Sequence, residues 1–208
     1  MTWFIDTGRF PVVASVVVGS YSGGSLHNPP APLPEKREPF TAEAKAASPK
    51  KAKAFPRSDG FKEHIIGDPV YFLLSAPAVD VLRALQPDGW EVVPIAISPY
   101  EKASADTFVG ETYFLLNPYL HRNLVDLSHS DIPPHRRFLG TAFEDTVYRL
   151  RDKKHRRIAI KRDLVGDVCL WLGEEPVLTH TIFVADRLKE AWCDIGMNPA
   201  VFEPCLDV

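Results

Sequence analysis

Cysteine is scarce in this chain: three among 208 residues, Cys169, Cys193 and Cys205. They form neither a CxxC pair nor a zinc spacing, which argues against a disulfide framework and a structural zinc site. An odd number of scattered thiols fits a reducing compartment, with each thiol packed as a small apolar group. Long apolar runs are missing too. No stretch approaches the ~20 residues that a membrane-spanning helix requires. The catalytic signatures of several large enzyme classes are also absent: there is no G-x-S-x-G elbow and no HExxH. SGGS at Ser22 to Ser25 has no strand–loop–helix frame and no following Lys-Ser/Thr, so it is no phosphate loop. The run Phe10 to Val18 after Arg9 has signal-peptide length. Asp6, the lack of an A-x-A site and the valine-rich composition favour a strand instead, following a first strand at Thr2 to Asp6. A cytoplasmic chain is the expectation.

Proline, by contrast, is plentiful, with 19 residues, many of them crowded into one stretch. Ser22 to Ser58 contains NPPAPLP and then EAKAASPKKAKAFP, a composition that buries too little apolar surface to fold alone. Its cations (Lys36, Arg37, Lys45, Lys50, Lys51, Lys53, Arg57) outnumber Glu35, Glu38 and Glu43, for a charge near +4. The rest of the chain, with 17 Lys and Arg against 24 Asp and Glu, is near −7. An acidic body suits a basic partner better than a nucleic acid.

One pattern occurs twice. VYFLLSAPAVDVLRALQPDGWEVVPIAI (70–97) and TIFVADRLKEAWCDIGMNPAVFEPCLDV (181–208) align without a gap, with Ser75 on Ala185, Leu82 on Trp192, Leu85 on Ile195 and Pro94 on Pro204. Each reads as an apolar strand, a short turn, an amphipathic helix and a second apolar strand. The apolar positions recur at helical spacing, so one stripe of each helix is expected in a core. Ser75 is the expected N-cap, Pro77 fits the first turn, and Pro87 to Gly89 stops the helix. Between the copies, Thr107 to Leu116 reads as a strand, followed by a polar connector. Phe138 to Phe143, Thr146 to Leu150, Arg157 to Ile160 and Val168 to Leu172 alternate as short antiparallel strands. The expectation is an α+β fold, mostly antiparallel, with two strand–helix–strand units related as an internal repeat. Residues 1–21 would add N-terminal strands, 22–58 an arm or linker, and 59–208 the main domain.

Chemistry-bearing residues gather in the connector. His121, His129 and His135 lie near Asp126 and Asp131, but without helical metal-ligand spacing. Ser128 and Ser130 flank His129, and adjacent residues are expected to point apart rather than pair as nucleophile and base. The basic run Arg151 to Arg162 reads as the charged tip of a hairpin, and no interleaved aromatics there offer base stacking. No cofactor, metal or nucleic acid is expected. The surface proposed to meet a partner comprises Glu101, Asp106, Glu111, Asp126, His129 and Asp131, carboxylates that would steer a basic protein into place.

Three segments carry a resemblance. The stretch IFVADRLKEAWCDIGMNPAVFEP resembles the closing motif of the DUF1629 family, immunity family eleven of the polymorphic-toxin systems. FLLNPYLHRNLVDLSHS looks like that family's internal block through Leu116, Asn117, Asp126 and Ser130. Tyr71 to Pro94 is similar to a further family segment through Ser75, Leu82, Gly89 and Pro94. Departures are the proline-rich stretch and Asp186 in place of the usual Ser-Glu. The resemblance implies a cytoplasmic, non-enzymatic protein that neutralises a cognate toxin, often a type VI secretion effector and commonly a nuclease, by occluding its active site. It supplies no catalytic residues. The alternatives are a small metal-dependent hydrolase or nucleic-acid-processing enzyme using Asp126, His129 and Asp131, and an adaptor working through its proline-rich arm.

Overall fold

Two apolar runs, LWLG and IFVA, lie side by side at the centre of the molecule, and their burial on both faces organises the rest. The computed structural model describes residues 1–5, 13–17, 38–48, 50–55, 65–67, 72–99, 109–110, 112–139, 142–148, 157–174, 176–178 and 181–208. In chain order the elements are β1 (Thr2–Ile5), β2 (Val13–Val17), α1 (Ala42–Ala47), β3 (Lys51–Phe55), β4 (Ile65–Gly67), β5 (Phe72–Ser75) and α2 (Ala76–Leu85). Next come β6 (Trp90–Pro99), β7 (Thr112–Pro118), β8 (His121–Arg122), β9 (Pro134–Leu139), β10 (Ala142–Tyr148), β11 (Ala159–Ile160) and β12 (Leu170–Gly173). The chain closes with β13 (Ile182–Ala185), α3 (Asp186–Asp194), β14 (Phe202–Pro204) and β15 (Leu206–Asp207). The protein is α+β.

The strands form a closed barrel, β2-β3-β6-β7-β5-β4, and a five-stranded sheet, β14-β1-β13-β12-β8. Period-2 alternation divides the side chains of that sheet between two cores. Leu170, Leu172, Ile182 and Val184 join Leu74, Ala78, Leu82, Leu188 and Trp192 in one cluster, beneath both helices. Trp171 and Phe183 face the other way and pack with Phe4, Leu124, Val125, Ile158, Ile160 and Cys205. Their rings stack with centroids 5.7 Å apart. Strands buried on both sides read as unbroken apolar runs, which is how LWLG and IFVA read.

The two strand–helix–strand segments share a layout. β5 and β6 both pair antiparallel with β7, which lies between them. In the same way β13 and β14 flank β1. The aligned residues Ser75 and Ala185 are both N-caps, but only Ser75 offers a side-chain acceptor, its Oγ taking the Ala78 N–H at 3.4 Å. The likeness is one of layout, since the registered side chains differ, Leu82 against Trp192 and Val92 against Phe202. The two helices pack together, and the Trp192 indole donates to the Ala78 carbonyl at 2.9 Å. Leu82 and Trp192 are fully buried, while Leu85 and Ile195 are partly buried against the same cluster.

The turn after α2 needs a glycine. Gly89 has φ +82°, and a Cβ there would stand 2.9 Å from the Leu120 Cβ. Two pairings depart from expectation. Of the stretch 22–58, residues 42–47 are helical and 51–55 form β3, a barrel strand between β2 and β6. The strands flanking the hairpin expected around Arg151 to Arg162 have other partners among the described residues: β10 pairs with β9, and β11 pairs in parallel with β15. Residues 151–156 lie outside the described residues. Among the described residues, no helix is long and apolar enough to cross a membrane.

Candidate functional site

The polar connector between β8 and β9 holds the candidate residues that the structure describes. Backbone hydrogen bonds stitch it to the strand beside it: Asp126 N–H to the Ala159 carbonyl (2.8 Å), Lys161 N–H to Leu124 (2.9 Å) and Asp131 N–H to Arg157 (2.7 Å). Leu124, Val125 and Ile132 are buried beneath, so the apolar residues of the connector anchor it and its polar ones face out. Ser130 completes the attachment. Its hydroxyl donates to the Asp126 carbonyl at 2.5 Å and accepts the Ala159 N–H at 2.8 Å.

At the tip, Asp126 gathers its neighbours. Oδ1 accepts both the backbone N–H of Ser128 (2.9 Å) and its hydroxyl (2.5 Å), closing an Asx turn. Oδ2 lies 3.2 Å from His129 Nδ1, and Ser128 Oγ is 3.0 Å from that same nitrogen. The Ser128 hydroxyl, followed by the His129 ring, holds the Asp126 carboxyl down at about 2. The expectation that Ser128 and His129 point apart is therefore wrong. They sit on a turn, and one carboxylate draws both side chains to its own side.

This contact is no nucleophile–base relay. A relay requires the orienting carboxylate on one imidazole nitrogen and the nucleophile on the other. Here Asp126 and Ser128 both address Nδ1, on an exposed turn. Asp131 joins the group only through its backbone, and its side chain is exposed. Among the described residues, no group of three or more His, Cys, Asp and Glu is arranged to hold a metal ion. Glu101, Asp106 and Glu111 lie outside the described residues. His121 belongs to a separate place, its Nδ1 2.9 Å from the Gly173 carbonyl.

Three further groups went unread in the sequence. Glu91 on β6 and Asn117 on β7 are register partners. Glu91 accepts the Phe40 N–H, the Asn117 amide at 3.2 Å and the Lys45 ammonium at 2.8 Å. Burial pushes its carboxyl up, but the hydrogen bonds from Lys45, Phe40 and Asn117 together outweigh it and hold the carboxyl below its ordinary value. Gln86, just past α2, is buried with all four hydrogen-bonding positions of its amide filled. The third is Asp186, whose carboxylate takes the Trp3 indole N–H at 2.8 Å while Lys189 sits over that ring. An open cleft of about 900 Å³ is lined by Gln86, Leu120 and Val165, with Asp88, Arg122 and Asp167 as its charged residues. The three thiols are free, with Cys169 and Cys205 buried and burial raising all three.

No family model matches the chain, and no curated protein matches it. The likeness to the DUF1629 family rests on the residues quoted from the sequence.

Proposed function

We propose that this chain is an immunity protein that binds a cognate antibacterial toxin and neutralises it by covering its active site. What carries the reading is the role of the residues on which the resemblance rests. Ser75 caps a helix, Leu82 is core, Gly89 makes a left-handed turn, Asn117 is a buried anchor, and Ser130 ties the connector to β11. These five are scaffold residues, the kind a binding family retains while its contact surface varies with the partner; Asp126, a sixth residue of the resemblance, lies on the connector tip instead. An acidic body supports a basic partner, such as a nuclease domain, through long-range steering. The connector's carboxylates, half-buried Asp126 and exposed Asp131, with His129 beside them, would lie at the edge of that contact.

The test is capture of the tagged chain from its own host, followed by expression of the captured partner. One stoichiometric partner that survives high salt, kills on expression and is silenced by this chain supports the proposal. A partner whose toxicity the chain leaves intact, or a chain that turns over substrate by itself, sinks it.

A further inference from the structure

Residues 38–48, the described part of the proline-rich stretch ahead of β3, meet the barrel through a few side-chain hydrogen bonds. Its helix α1 has six residues, well short of the ~12–15 at which an isolated helix becomes even marginal in water. Thr41, Ala42, Glu43, Lys45 and Ala46 are exposed, so the helix buries little apolar surface. Its internal bonds are local: Thr41 Oγ1 accepts the Ala44 N–H at 3.1 Å, and Ser48 Oγ donates to the Ala44 carbonyl at 2.8 Å.

Three groups of this stretch meet two barrel side chains. Asn117 Nδ2 donates to the Glu38 carbonyl at 2.9 Å. Glu91 Oε1 accepts the Phe40 N–H, and Glu91 Oε2 holds Lys45 Nζ at 2.8 Å. Because Glu91 and Asn117 stand opposite each other on β6 and β7, the barrel presents one carboxylate and one amide as a fixed pair. That pair reads a carbonyl and a backbone N–H from residues 38–40 and the ammonium of Lys45 on α1. Residues 38–48 are thus seated as a tethered ligand. At their far end, the Ala96 N–H bonds the Lys50 carbonyl where β3 joins β6.

We propose that residues 38–48 form a strap that opens from the barrel as a unit, with Glu91 and Asn117 as its latch and the start of β3 as its hinge. Closed, the strap covers the pair; open, it leaves the barrel's hydrogen-bonded strands intact. The barrel does not need the strap for its ladder, since β6 and β7 pair over seven residues from Trp90 to Ala96.

Hydrogen exchange followed by mass spectrometry on the full chain tests this, comparing the wild type with Glu91→Gln and Lys45→Met. Glu91→Gln keeps the shape and removes the charge that strengthens the latch. Its expected effect is exchange in residues 40–47 faster by about tenfold or more, with protection over 92–96 and 113–116 kept. Lys45→Met retains the stem, cannot disturb the barrel interior, and is expected to shift the same peptides by a smaller factor. Unchanged strap exchange in both variants would overturn the proposal. So would a rise in Glu91→Gln spread evenly over the strap, β6 and β7, since Glu91 would then be a staple of the barrel. Should Glu91→Gln fail to fold, Lys45→Met decides by the same peptides.

Discussion

Gln86 and Leu170 stand 84 positions apart and exchange two hydrogen bonds, Leu170 N–H to Gln86 Oε1 at 2.9 Å and Gln86 Nε2 to the Leu170 carbonyl at 3.1 Å. The side-chain amide thereby imitates a strand at the edge of β12. Oε1 also takes the Cys169 N–H at 2.7 Å, and Nε2 also donates to the Asp88 carbonyl at 2.9 Å. With no acceptor or donor left over, this one residue joins α2 to the central sheet.

Gln86→Glu tests that role. The new carboxylate would face two carbonyls where the amide had donated, so its folded-state pKa rises above the unfolded value. A group raised in this way costs stability as pH climbs through its unfolded value of about 4.3. The variant is expected to approach wild-type stability near pH 4 and to fall behind by about 2–4 kcal/mol at neutral pH. Urea midpoints measured across that range check it, and a pH-independent difference would show that the carbonyl contacts are not what matters.

Trp192 carries a second long-range tie. Fully buried, it stacks on Phe202 and donates to Ala78 across the helix pair. Trp192→Ala is expected to cost ~3–5 kcal/mol, read as a drop in Tm and urea midpoint. Under the immunity reading, protection against a toxin would then fall only with the folded fraction. An unaltered Tm would remove Trp192 from the core.

Local signals made part of this fold legible. Ser75, Pro77 and the Pro87–Gly89 turn bound α2, and the stripe spacing put Leu82 and Trp192 inside. What stayed hidden was set by distant partners. Nothing in the local sequence marks Gln86, because two of its partners, Cys169 and Leu170, lie more than 80 positions away. Lys51 to Phe55 hides a strand, because lysine and alanine suggest a solvated tract although KAKAF alternates with period 2. Glu91 and Asn117 sit on different strands, and only the register of the β6–β7 ladder brings them opposite. The contact of Ser128 with His129 is hidden for another reason: adjacent side chains diverge in general, and here the Asp126 carboxylate draws both to one side of an Asx turn.

That turn has an acid signature. Asp126 is held at about 2 against an ordinary value of 3.8. A depressed carboxyl stabilises the fold above its unfolded pKa, and that contribution fades as pH falls from about 4 towards 2. Asp126→Asn is expected to lose the pH dependence in this window, so that the variant is less stable than the wild type at neutral pH and the gap closes as pH falls towards 2. Titration of the Asp126 carboxyl by NMR checks the value directly. An ordinary pKa would show that the Ser128 and His129 contacts do not persist in solution.

Asp131 separates steering from structure. It is exposed, and its tie to the scaffold is its backbone N–H on the Arg157 carbonyl, which a side-chain change leaves in place. Ser130 is the reverse: removing its hydroxyl orphans the Ala159 N–H, a cost of about 1–3 kcal/mol. Under the immunity reading, Asp131→Lys should leave Tm near the wild-type value and slow association with a basic toxin, by roughly tenfold at low salt and less at high salt. Ser130→Ala should do the opposite, lowering Tm while association of the folded protein stays fast. Stopped-flow mixing with the captured toxin at two ionic strengths distinguishes them. An association rate indifferent to Asp131→Lys would move the contact away from the connector and onto another face of the molecule.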